Sequence, residues 1–233
     1  MLKNIVKHIL QKPKPEIPLA KKSYSQCGED LIISYLFNLR GIACPTYIDM
    51  GAHDPYFLSN TALFYERGAR GINIEANPLL IDNFNRERPN DINLNIGISN
   101  KIDAIDFFIM EDSTLSTFSR TECDRMISLG KPLKEIRTIP TTTVSEIIET
   151  YHNGISPDLM SLDIEGLDYI ILKDIDYRKT GPKVICVEAA DYSPIGAGKR
   201  RNDIIDLLAD NGYYEYANTN LNAIMVKKDF WFI

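Results

Sequence analysis

Carboxylates close four short apolar segments of this 233-residue chain, each at a point where a buried strand would end. The segments are "YIDMG" with Asp49, "GINIE" with Glu75, "LMSLD" with Asp163 and "KVICVE" with Glu188. An idle charged group at the rim of an apolar core costs free energy. For any one of the four, a helix cap or a loop-fixing hydrogen bond is the alternative. Together they predict a binding or catalytic site at one edge of a sheet.

The elements that carry these acids alternate between strand and helix patterns, which favours a parallel sheet covered by helices on both faces. We predict strands at 46–50, 71–76, 92–98, 105–110, 159–164 and 183–189, followed by an antiparallel pair after Gly212. Predicted helices cover 28–38, 78–88, 144–152, 166–175 and 199–211. The expected fold is α/β and Rossmann-like, with about seven mainly parallel strands and a C-terminal hairpin. Ligands bind such sheets beyond the carboxyl ends of the strands.

The first strand lacks the glycine pattern of a dinucleotide site. That site needs G-x-G-x-x-G, so that backbone N–H groups can approach a pyrophosphate, and here only Gly51 follows the strand. Glu75, at the end of the second strand, is placed to accept both hydroxyls of a ribose. S-adenosylmethionine, a phosphate-free adenosine with an amino-acid tail, has this shape. An NAD-dependent sugar-modifying enzyme is disfavoured.

Composition limits the remaining function classes. With 44% hydrophobic residues the chain is long enough for one well-packed core. A net charge of -6 and the absence of a basic stripe in the body of the chain disfavour nucleic acid as a partner. The four cysteines have no C-x-x-C spacing, which fits a reducing cytoplasm. No apolar run approaches the ~20 residues of a transmembrane segment, so we expect a soluble, cytoplasmic protein.

Residues 1–22 differ from the predicted domain at 23–233. They hold six lysines and three prolines, and Leu2, Ile5, Val6, Ile9 and Leu10 suit one helical face. We interpret them as a basic amphipathic extension followed by a Pro-rich linker. The helix would pack on its own domain or on a second copy in a homodimer; contact with an anionic membrane or a partner protein is the alternative.

Five motifs resemble those of the FkbM family of methyltransferases, over about residues 24–228. They are "SQCGEDLII" (25–33), "DMGAHDP" (49–55), "SNT" (59–61), "GINIEANP" (71–78) and "SLDIEGLDYIIL" (161–172). The resemblance implies a class I methyltransferase fold and an S-adenosylmethionine-dependent enzyme that methylates sugar hydroxyls, in natural products or bacterial surface polysaccharides. The stretch 120–135 matches none of these motifs.

The resemblance also implies roles for individual residues. Asp49 and Gly51 would meet the methionine and ribose parts of the cofactor, and Glu75 would hold the ribose hydroxyls. Residues 96–99 would flank the adenine. The full set expected at the cofactor is Gln26, Asp49, Gly51, Glu75, Ala76, Asn77, Gly97, Ile98 and Asp163. For "QCGED", helix capping by Ser25 is the alternative to cofactor contact.

Methylation of a sugar hydroxyl requires a base or a metal ion, because the hydroxyl pKa lies far above neutrality. Asp163 is the leading hypothesis for the base, with Glu165 two residues on. His53 is the rival, since a neutral imidazole has a better-matched pKa. Alternatively, Asp163, Glu188 and Asp191 would hold Mg²⁺ or Mn²⁺ through oxygen ligands.

A basic segment follows two glycines at a predicted helix start. Asp191, Lys199, Arg200 and Arg201 are candidate substrate-binding residues, and the cations would grip the diphosphate of a nucleotide sugar. A solvated start of an amphipathic helix explains the same pattern. Two other functions stay open: a metal-dependent O-methyltransferase of a non-sugar small molecule, and a non-catalytic S-adenosylmethionine-binding module.

Overall fold

The computed structural model describes residues 21–164, 166–193 and 198–232. Within these residues the chain forms ten strands. They are β1 Tyr47–Met50, β2 Gly71–Ile74, β3 Ile92–Leu94, β4 Gly97–Ile98, β5 Asp103–Met110, β6 Leu133–Thr142, β7 Leu159–Leu162, β8 Val184–Glu188, β9 Tyr213–Asn218 and β10 Asn222–Lys227. The predicted N-terminal extension lies almost wholly outside the described residues.

Seven strands form the main sheet, in the order β3-β2-β1-β7-β8-β10-β9. All neighbours are parallel except β10, which runs antiparallel to β8 and to β9. From β1 the chain builds outward to β3 and then returns to the other side of β1 at β7. The strand order therefore reverses between β1 and β7, where open sheets bind their ligands. This topology confirms the predicted Rossmann-like α/β fold.

The central strands form because their residues are apolar on both faces. Every residue of β1 and β7 is buried, as expected for parallel strands covered by helices on two sides. One apolar cluster includes Ile48, Met160 and Ile185, and a second includes Tyr47, Leu159 and Cys186. The sheet thus has a core on each face, and only its edges are left for polar chemistry.

Eight α-helices flank the sheets in the described part. They are α1 Glu29–Leu39, α2 Ala62–Glu66, α3 Ile81–Glu87, α4 Arg120–Ser128, α5 Val144–Tyr151, α6 Asp168–Asp174, α7 Asn202–Asp210 and α8 Lys228–Trp231. The five predicted helices are present with shifted ends, whereas α2, α4 and α8 were not predicted. Where a cap is present it fixes the start of the helix: the Oγ1 atom of Thr143 accepts the Glu146 N–H at 3.1 Å and begins α5.

The prediction of one strand over residues 92–98 is wrong. The chain turns after β3, and β4 joins β5 and β6 in a second, three-stranded sheet of order β4-β6-β5. The side chain of Asn95 stabilises this turn, because its Nδ2 donates to the carbonyls of Glu75 and Ala76 at 2.8 and 3.1 Å. β6 was not predicted. Together these strands form a unit, which we call the small sheet, beside the carboxyl end of β2.

In the residues that the structure describes, no helix is long and apolar enough to cross a bilayer.

Candidate active site

A cavity of about 220 Å³ opens at the carboxyl ends of the central strands. The four strand-end carboxylates predicted from the sequence, Asp49, Glu75, Asp163 and Glu188, all line it. They come from four neighbouring strands of the main sheet, β2, β1, β7 and β8. The sheet topology thus gathers acids that are up to 139 positions apart in the chain, from 49 to 188.

Gly51 permits the tight approach of β1 and β7 at the floor of the cavity. Its φ is +75°, and a Cβ atom here would lie 1.8 Å from the carbonyl oxygen of Asp163. The backbone N–H groups of Gly51 and Ala52 both donate to the Ile74 carbonyl, at 3.0 and 3.1 Å. Only glycine satisfies both the left-handed backbone and this contact. Gly51 therefore determines how closely the ends of β1 and β7 meet.

Glu75 is held rigidly at the end of β2. Its two carboxylate oxygens accept backbone N–H groups, one from His53 at 2.8 Å and one from Asn77 at 2.6 Å. Burial raises the pKa of Glu75 to about 7, although these two hydrogen bonds oppose the shift. Each oxygen keeps a lone pair for a further donor. The carboxylate is therefore suited to accept hydroxyl groups, whose hydrogen bonds would offset its desolvation.

Asp49 is anchored by a buried threonine. Its Oδ2 accepts the Thr61 hydroxyl at 2.6 Å, and Nη1 of Arg88 donates to the same Thr61 oxygen at 3.1 Å. Burial raises the pKa of Asp49, while the Thr61 hydrogen bond and the positive charge of Arg88 act in the opposite direction. The sequence motif "SNT" thus has a structural role, because its threonine links Asp49 of β1 to the buried side chain of Arg88.

Arg88 lies fully buried behind the cavity. It forms an ion pair with Asp91 at 2.8 Å, and its Nη2 donates to the Tyr47 hydroxyl at 2.9 Å. Its Nη1 also donates to the Pro55 carbonyl at 3.3 Å. A buried cation is stable only when paired and hydrogen-bonded in this way. Arg88 therefore fixes the loop that follows β1, a role that the sequence did not reveal.

Asp163 presents its carboxylate to the open space of the cavity, and within the described residues no side-chain or backbone donor bonds to it. The surrounding protein raises the pKa of Asp163, and the negative charges of Asp168 and Asp49 raise it further. Asp168 is itself engaged, since its carboxylate accepts the backbone N–H groups of Ile164 and Gly166, both at 3.2 Å. Asp163 is therefore the acid best placed to exchange a proton with a ligand. Glu165 lies outside the described residues.

His53 bridges the loop after β1 to the small sheet. Its φ is +54°, a left-handed conformation that is uncommon for this residue type. Its ring Nε2 lies 2.9 Å from Oγ of Ser113, on the turn between β5 and α4. Burial lowers the pKa of His53, so the ring is neutral at pH 7. The geometry gives His53 a bridging role, in addition to the proton-accepting role considered from the sequence.

The small sheet and the segment after it supply one wall of the cavity. Gly97 and Ile98 line the cavity, as does Phe118, and a Cβ on Gly97 would lie 2.3 Å from the Phe118 ring. The ring centroids of Phe107 and Phe118 are 4.6 Å apart. This apolar, aromatic surface suits a nucleobase.

Of the remaining residues expected at the cofactor, Gln26 and Ala76 also line the cavity. Asn77 does not, because its side chain is buried in the following turn, where Oδ1 accepts the Leu79 N–H at 3.0 Å. Ser25, the alternative for the same motif, has a capping contact as well: its Oγ accepts the Asp30 N–H at 3.2 Å. Gln26 facing the cavity and Ser25 capping the helix are therefore compatible.

The predicted substrate-binding residues lie away from this cavity. Asp191 and Arg201 line a smaller neighbouring depression of about 30 Å³, together with Glu188. Arg200 is paired with Glu215, and Arg201 makes two hydrogen bonds to Asp203, at 3.0 and 2.8 Å. Lys199 is exposed. Both arginines are thus already engaged, and their role in substrate binding stays a prediction.

The predicted metal ligands do not converge. Asp163 and Glu188 share the large cavity, whereas Asp191 lies in the small depression. Among residues 21–164, 166–193 and 198–232, no group of three or more His, Cys, Asp and Glu side chains is placed to hold a metal ion. Metal dependence therefore stays a prediction from the sequence that this geometry does not favour.

The cavity is strongly acidic. Besides its four carboxylates it is lined by His53, and neither Lys nor Arg contributes to its lining in the described part of the chain. Sequence reasoning also did not assign the polar side chains Asn60, Ser161 and Asn222, which face the same space. The Asn60 Nδ2 donates to the Ser161 Oγ at 3.2 Å. None of these three residues closes an apolar run with a charge, so the pattern used for the acids could not find them.

Two solved structures with a similar arrangement are distant in sequence. A TehB-like SAM-dependent methyltransferase from Corynebacterium glutamicum is 13% identical, with 86% of this chain and 88% of that chain covered and a TM-score of 0.45. Methyltransferase FkbM from Methylobacillus flagellatus is 13% identical, with 78% and 43% covered and a TM-score of 0.47. Likenesses this weak say nothing about the substrate.

The sequence itself gives the stronger comparison. No match was found among the curated proteins. The model of the methyltransferase FkbM domain, however, matches residues 49–214, well over half of the chain. This range begins at Asp49 and includes Glu75, Asp163 and Glu188. The cavity, the sheet order and this match agree with the family suggested by the five motifs, and the chain belongs to the FkbM family of S-adenosylmethionine-dependent methyltransferases.

Proposed function

We propose that this protein transfers a methyl group from S-adenosylmethionine to a sugar hydroxyl, as an O-methyltransferase of surface-polysaccharide or natural-product biosynthesis. One observation carries the donor assignment: the acidic cavity, which no Lys or Arg of the described residues lines. A pyrophosphate in this space would lie among carboxylates, and the described lining offers no Lys or Arg to offset its charge. A donor with a positively charged sulfur and an ammonium group is attracted by the same carboxylates.

Different residues would bind different parts of the cofactor. Glu75 accepts the ribose hydroxyls, since both of its oxygens are fixed by backbone N–H groups and keep free lone pairs. Gly51 lets the ligand approach the backbone, and Asp49 faces the positive charge of the amino-acid tail. The wall at Gly97 and Ile98 packs against the adenine. When bound, the cofactor supplies an activated methyl group, and the protein's task is to hold the acceptor oxygen in line with it.

Asp163 is the proposed general base. Its carboxylate faces the cavity, its pKa is raised by the surrounding protein and by nearby acids, and a base is most effective when its pKa lies near the working pH. The rival, His53, contacts the Ser113 hydroxyl through Nε2. We therefore assign proton acceptance to Asp163 and bridging to His53.

Calorimetric titration with S-adenosylhomocysteine and a methyl-transfer assay test this function together. The wild type should bind the nucleoside at micromolar concentration and transfer labelled methyl groups to a sugar. Asp163→Asn should keep nucleoside affinity within a fewfold and lower kcat by roughly 100-fold or more, the usual contribution of a general base. His53→Gln is the matched comparison, with a smaller expected loss of kcat. Failure of the wild type to bind the nucleoside would remove the proposal, and an unchanged kcat in Asp163→Asn would remove only the base.

Two further assignments remain proposals from the sequence. The basic residues Lys199, Arg200 and Arg201 would hold an anionic part of the acceptor outside the main cavity, which requires Arg200 and Arg201 to exchange their present carboxylate partners. A divalent ion at Asp163, Glu188 and Asp191 would require movement of the loop that carries Asp191. Turnover that persists after exhaustive chelation would exclude the ion.

A further inference from the structure

Two residues from opposite ends of the chain meet beside the cavity. Nδ2 of Asn222, at the start of β10, donates to Oε1 of Glu29 at 3.0 Å, and the two side chains are 7% and 0% exposed. The Thr219 hydroxyl donates to the same oxygen at 2.7 Å, and the Cys27 N–H donates to Oε2 at 2.8 Å. Glu29 therefore ties together the loop before α1, the β9–β10 turn and the first residue of β10.

The contact fixes how the Asn222 amide is oriented. Hydrogen bonds from Asn222, Thr219 and Cys27 outweigh the effect of burial and hold the pKa of Glu29 below its usual value, so it is ionised at neutral pH. An ionised carboxylate only accepts hydrogen bonds, so the amide must turn its NH₂ toward Glu29 and Oδ1 away from it. Asn222 lines the cavity, and no donor in the described residues reaches its Oδ1. A fixed hydrogen-bond acceptor therefore faces the cavity.

The order of the strands indicates which ligand Oδ1 of Asn222 would contact. β10 lies three strands from β1 and four from β2, and Asn222 pairs with Glu188. With strands ~4.8 Å apart, β10 is about 14 Å from β1 and about 19 Å from β2. A nucleoside held by Glu75 and Gly51 extends its tail by only about six bonds, or roughly 8 Å. Asn222 therefore belongs to the end of the cavity where the methyl acceptor binds.

We propose that Asn222, positioned by Glu29, orients the methyl acceptor, and that it acts with Asp163 and Glu188 to select a neutral or amino-bearing polyol over an acidic sugar. The inference rests on the proposed function and deepens it. Hydroxyl and ammonium groups donate to Oδ1 of Asn222, at the start of β10, and to the carboxylate of Asp163, after β7, and the negative charge of Glu188 at the end of β8 attracts an ammonium group. A carboxylate that is part of the reacting ring, as in a uronate, would instead be repelled, and the described lining offers it no Lys or Arg.

Nucleoside affinity gives the first test. Asn222→Ala and Glu29→Gln should bind S-adenosylhomocysteine within twofold of the wild type in calorimetry, whereas Glu75→Ala should lose at least tenfold. The matched control is Asn218→Ala in the same hairpin, because the Asn218 side chain accepts the backbone N–H of Asn220, at 2.6 Å, and is not part of the described lining of the cavity. A tenfold loss in Asn222→Ala would place this residue at the cofactor and overturn the proposal.

Methyl transfer gives the second test, with glucose, glucosamine and glucuronate as probes, each free and as its UDP conjugate. Transfer to the neutral or amino form should be at least tenfold faster than to the uronate. On the best of these acceptors, Asn222→Ala and Glu29→Gln should raise KM at least tenfold with little change in kcat, and Asn218→Ala should not. If circular dichroism shows that Glu29→Gln does not fold, the KM of Asn222→Ala alone tests the proposal.

The outcomes separate the two proposals. Preference for the uronate, or an unchanged KM in Asn222→Ala, would overturn the selection inferred here and leave methyl transfer to sugars intact. Nucleoside binding without transfer to any probe would instead count against sugar methylation itself, and the inference would fail with it.

Discussion

At the scale of single residues, the site depends on carboxylates that are costly to keep ionised without a ligand. Burial raises the pKa of Glu75 to about 7 and raises the pKa of Asp49, and the surrounding protein and neighbouring acids raise the pKa of Asp163. A ligand that donates hydroxyl hydrogens or carries positive charge stabilises the ionised forms of all three. The desolvation of these acids is therefore coupled to the binding of the cofactor.

This coupling predicts a pH dependence of nucleoside affinity. In the proposed site Glu75 must be ionised to accept the ribose hydroxyls, and its folded pKa of about 7 lies above the usual 4.5. Affinity for S-adenosylhomocysteine should therefore fall as the pH drops through 7, by up to about tenfold between pH 8 and pH 6 for one proton. Calorimetry at several pH values measures it. Glu75→Ala should bind weakly with a flatter profile, and an equally steep profile in that variant would assign the proton to another group.

At the scale of elements, the loop between β1 and α2 is held from behind by a buried network. Arg88 donates to the Pro55 carbonyl and to Thr61, and Thr61 donates to Asp49. Asp54 accepts the N–H groups of Tyr56 and Phe57 at 2.9 and 2.8 Å and orders the middle of the loop. The position of Asp49 thus depends on α3, which ends just before Arg88.

Removing one hydroxyl tests this network. Thr61→Val deletes the hydrogen bond to Asp49 and one acceptor of Arg88 in a fully buried place, so the free energy of unfolding should fall by roughly 1–3 kcal/mol. Urea denaturation measures this change, and nucleoside affinity should fall with it. Thr61→Ser keeps the hydroxyl and serves as the control. Equal stability of the Val and Ser variants would show that the hydroxyl does not stabilise the loop.

At the scale of the whole molecule, the chain and its cavity are both acidic. The net charge is -6, and the described lining of the cavity adds four carboxylates and no Lys or Arg. A dinucleotide that carries phosphate charge is disfavoured throughout this field, whereas a phosphate-free nucleoside is not. The negative potential of the molecule thus favours a phosphate-free nucleoside over a dinucleotide even before contacts form.

Thermal unfolding checks this selection. At 100 times its dissociation constant, S-adenosylhomocysteine should stabilise the native state by about 2.7 kcal/mol. For a chain of this size, that corresponds to a rise in Tm of roughly 5–10 °C. NAD at the same concentration should leave Tm unchanged. A comparable shift with NAD would contradict the cofactor assignment.

Sequence patterns predicted the elements that apolar runs define, namely the central strands and the acids at their ends. β1, β7 and β8 are buried on both faces, and the acids that close them were found for the same reason. The "INLNIGI" alternation looked like one strand, but the Asn95 side chain bonds to the β2 end and turns the chain. β6 was missed because its first half mixes the charged residues Lys134, Glu135 and Arg137 with exposed Ile136, so that it shows no apolar run.

The role of Asn222 could not be predicted, since it depends on Glu29, 193 positions away. The buried pairing of Arg88 is hidden in the same way, because its partner Thr61 lies 27 positions earlier. Patterns along the chain identify residues by their immediate neighbours, whereas both of these roles arise only when the sheet brings distant segments together.

The contact between His53 and Ser113 has a consequence for the sequence of events in a turnover. It joins the loop after β1 to the small sheet, so that this sheet covers the side of the cavity at Gly97 and Ile98. We infer that a nucleoside beneath this cover would leave past β8 and β10, where the proposed methyl acceptor would bind. We therefore expect compulsory-order kinetics, in which the methyl donor enters before the acceptor and the demethylated nucleoside leaves last.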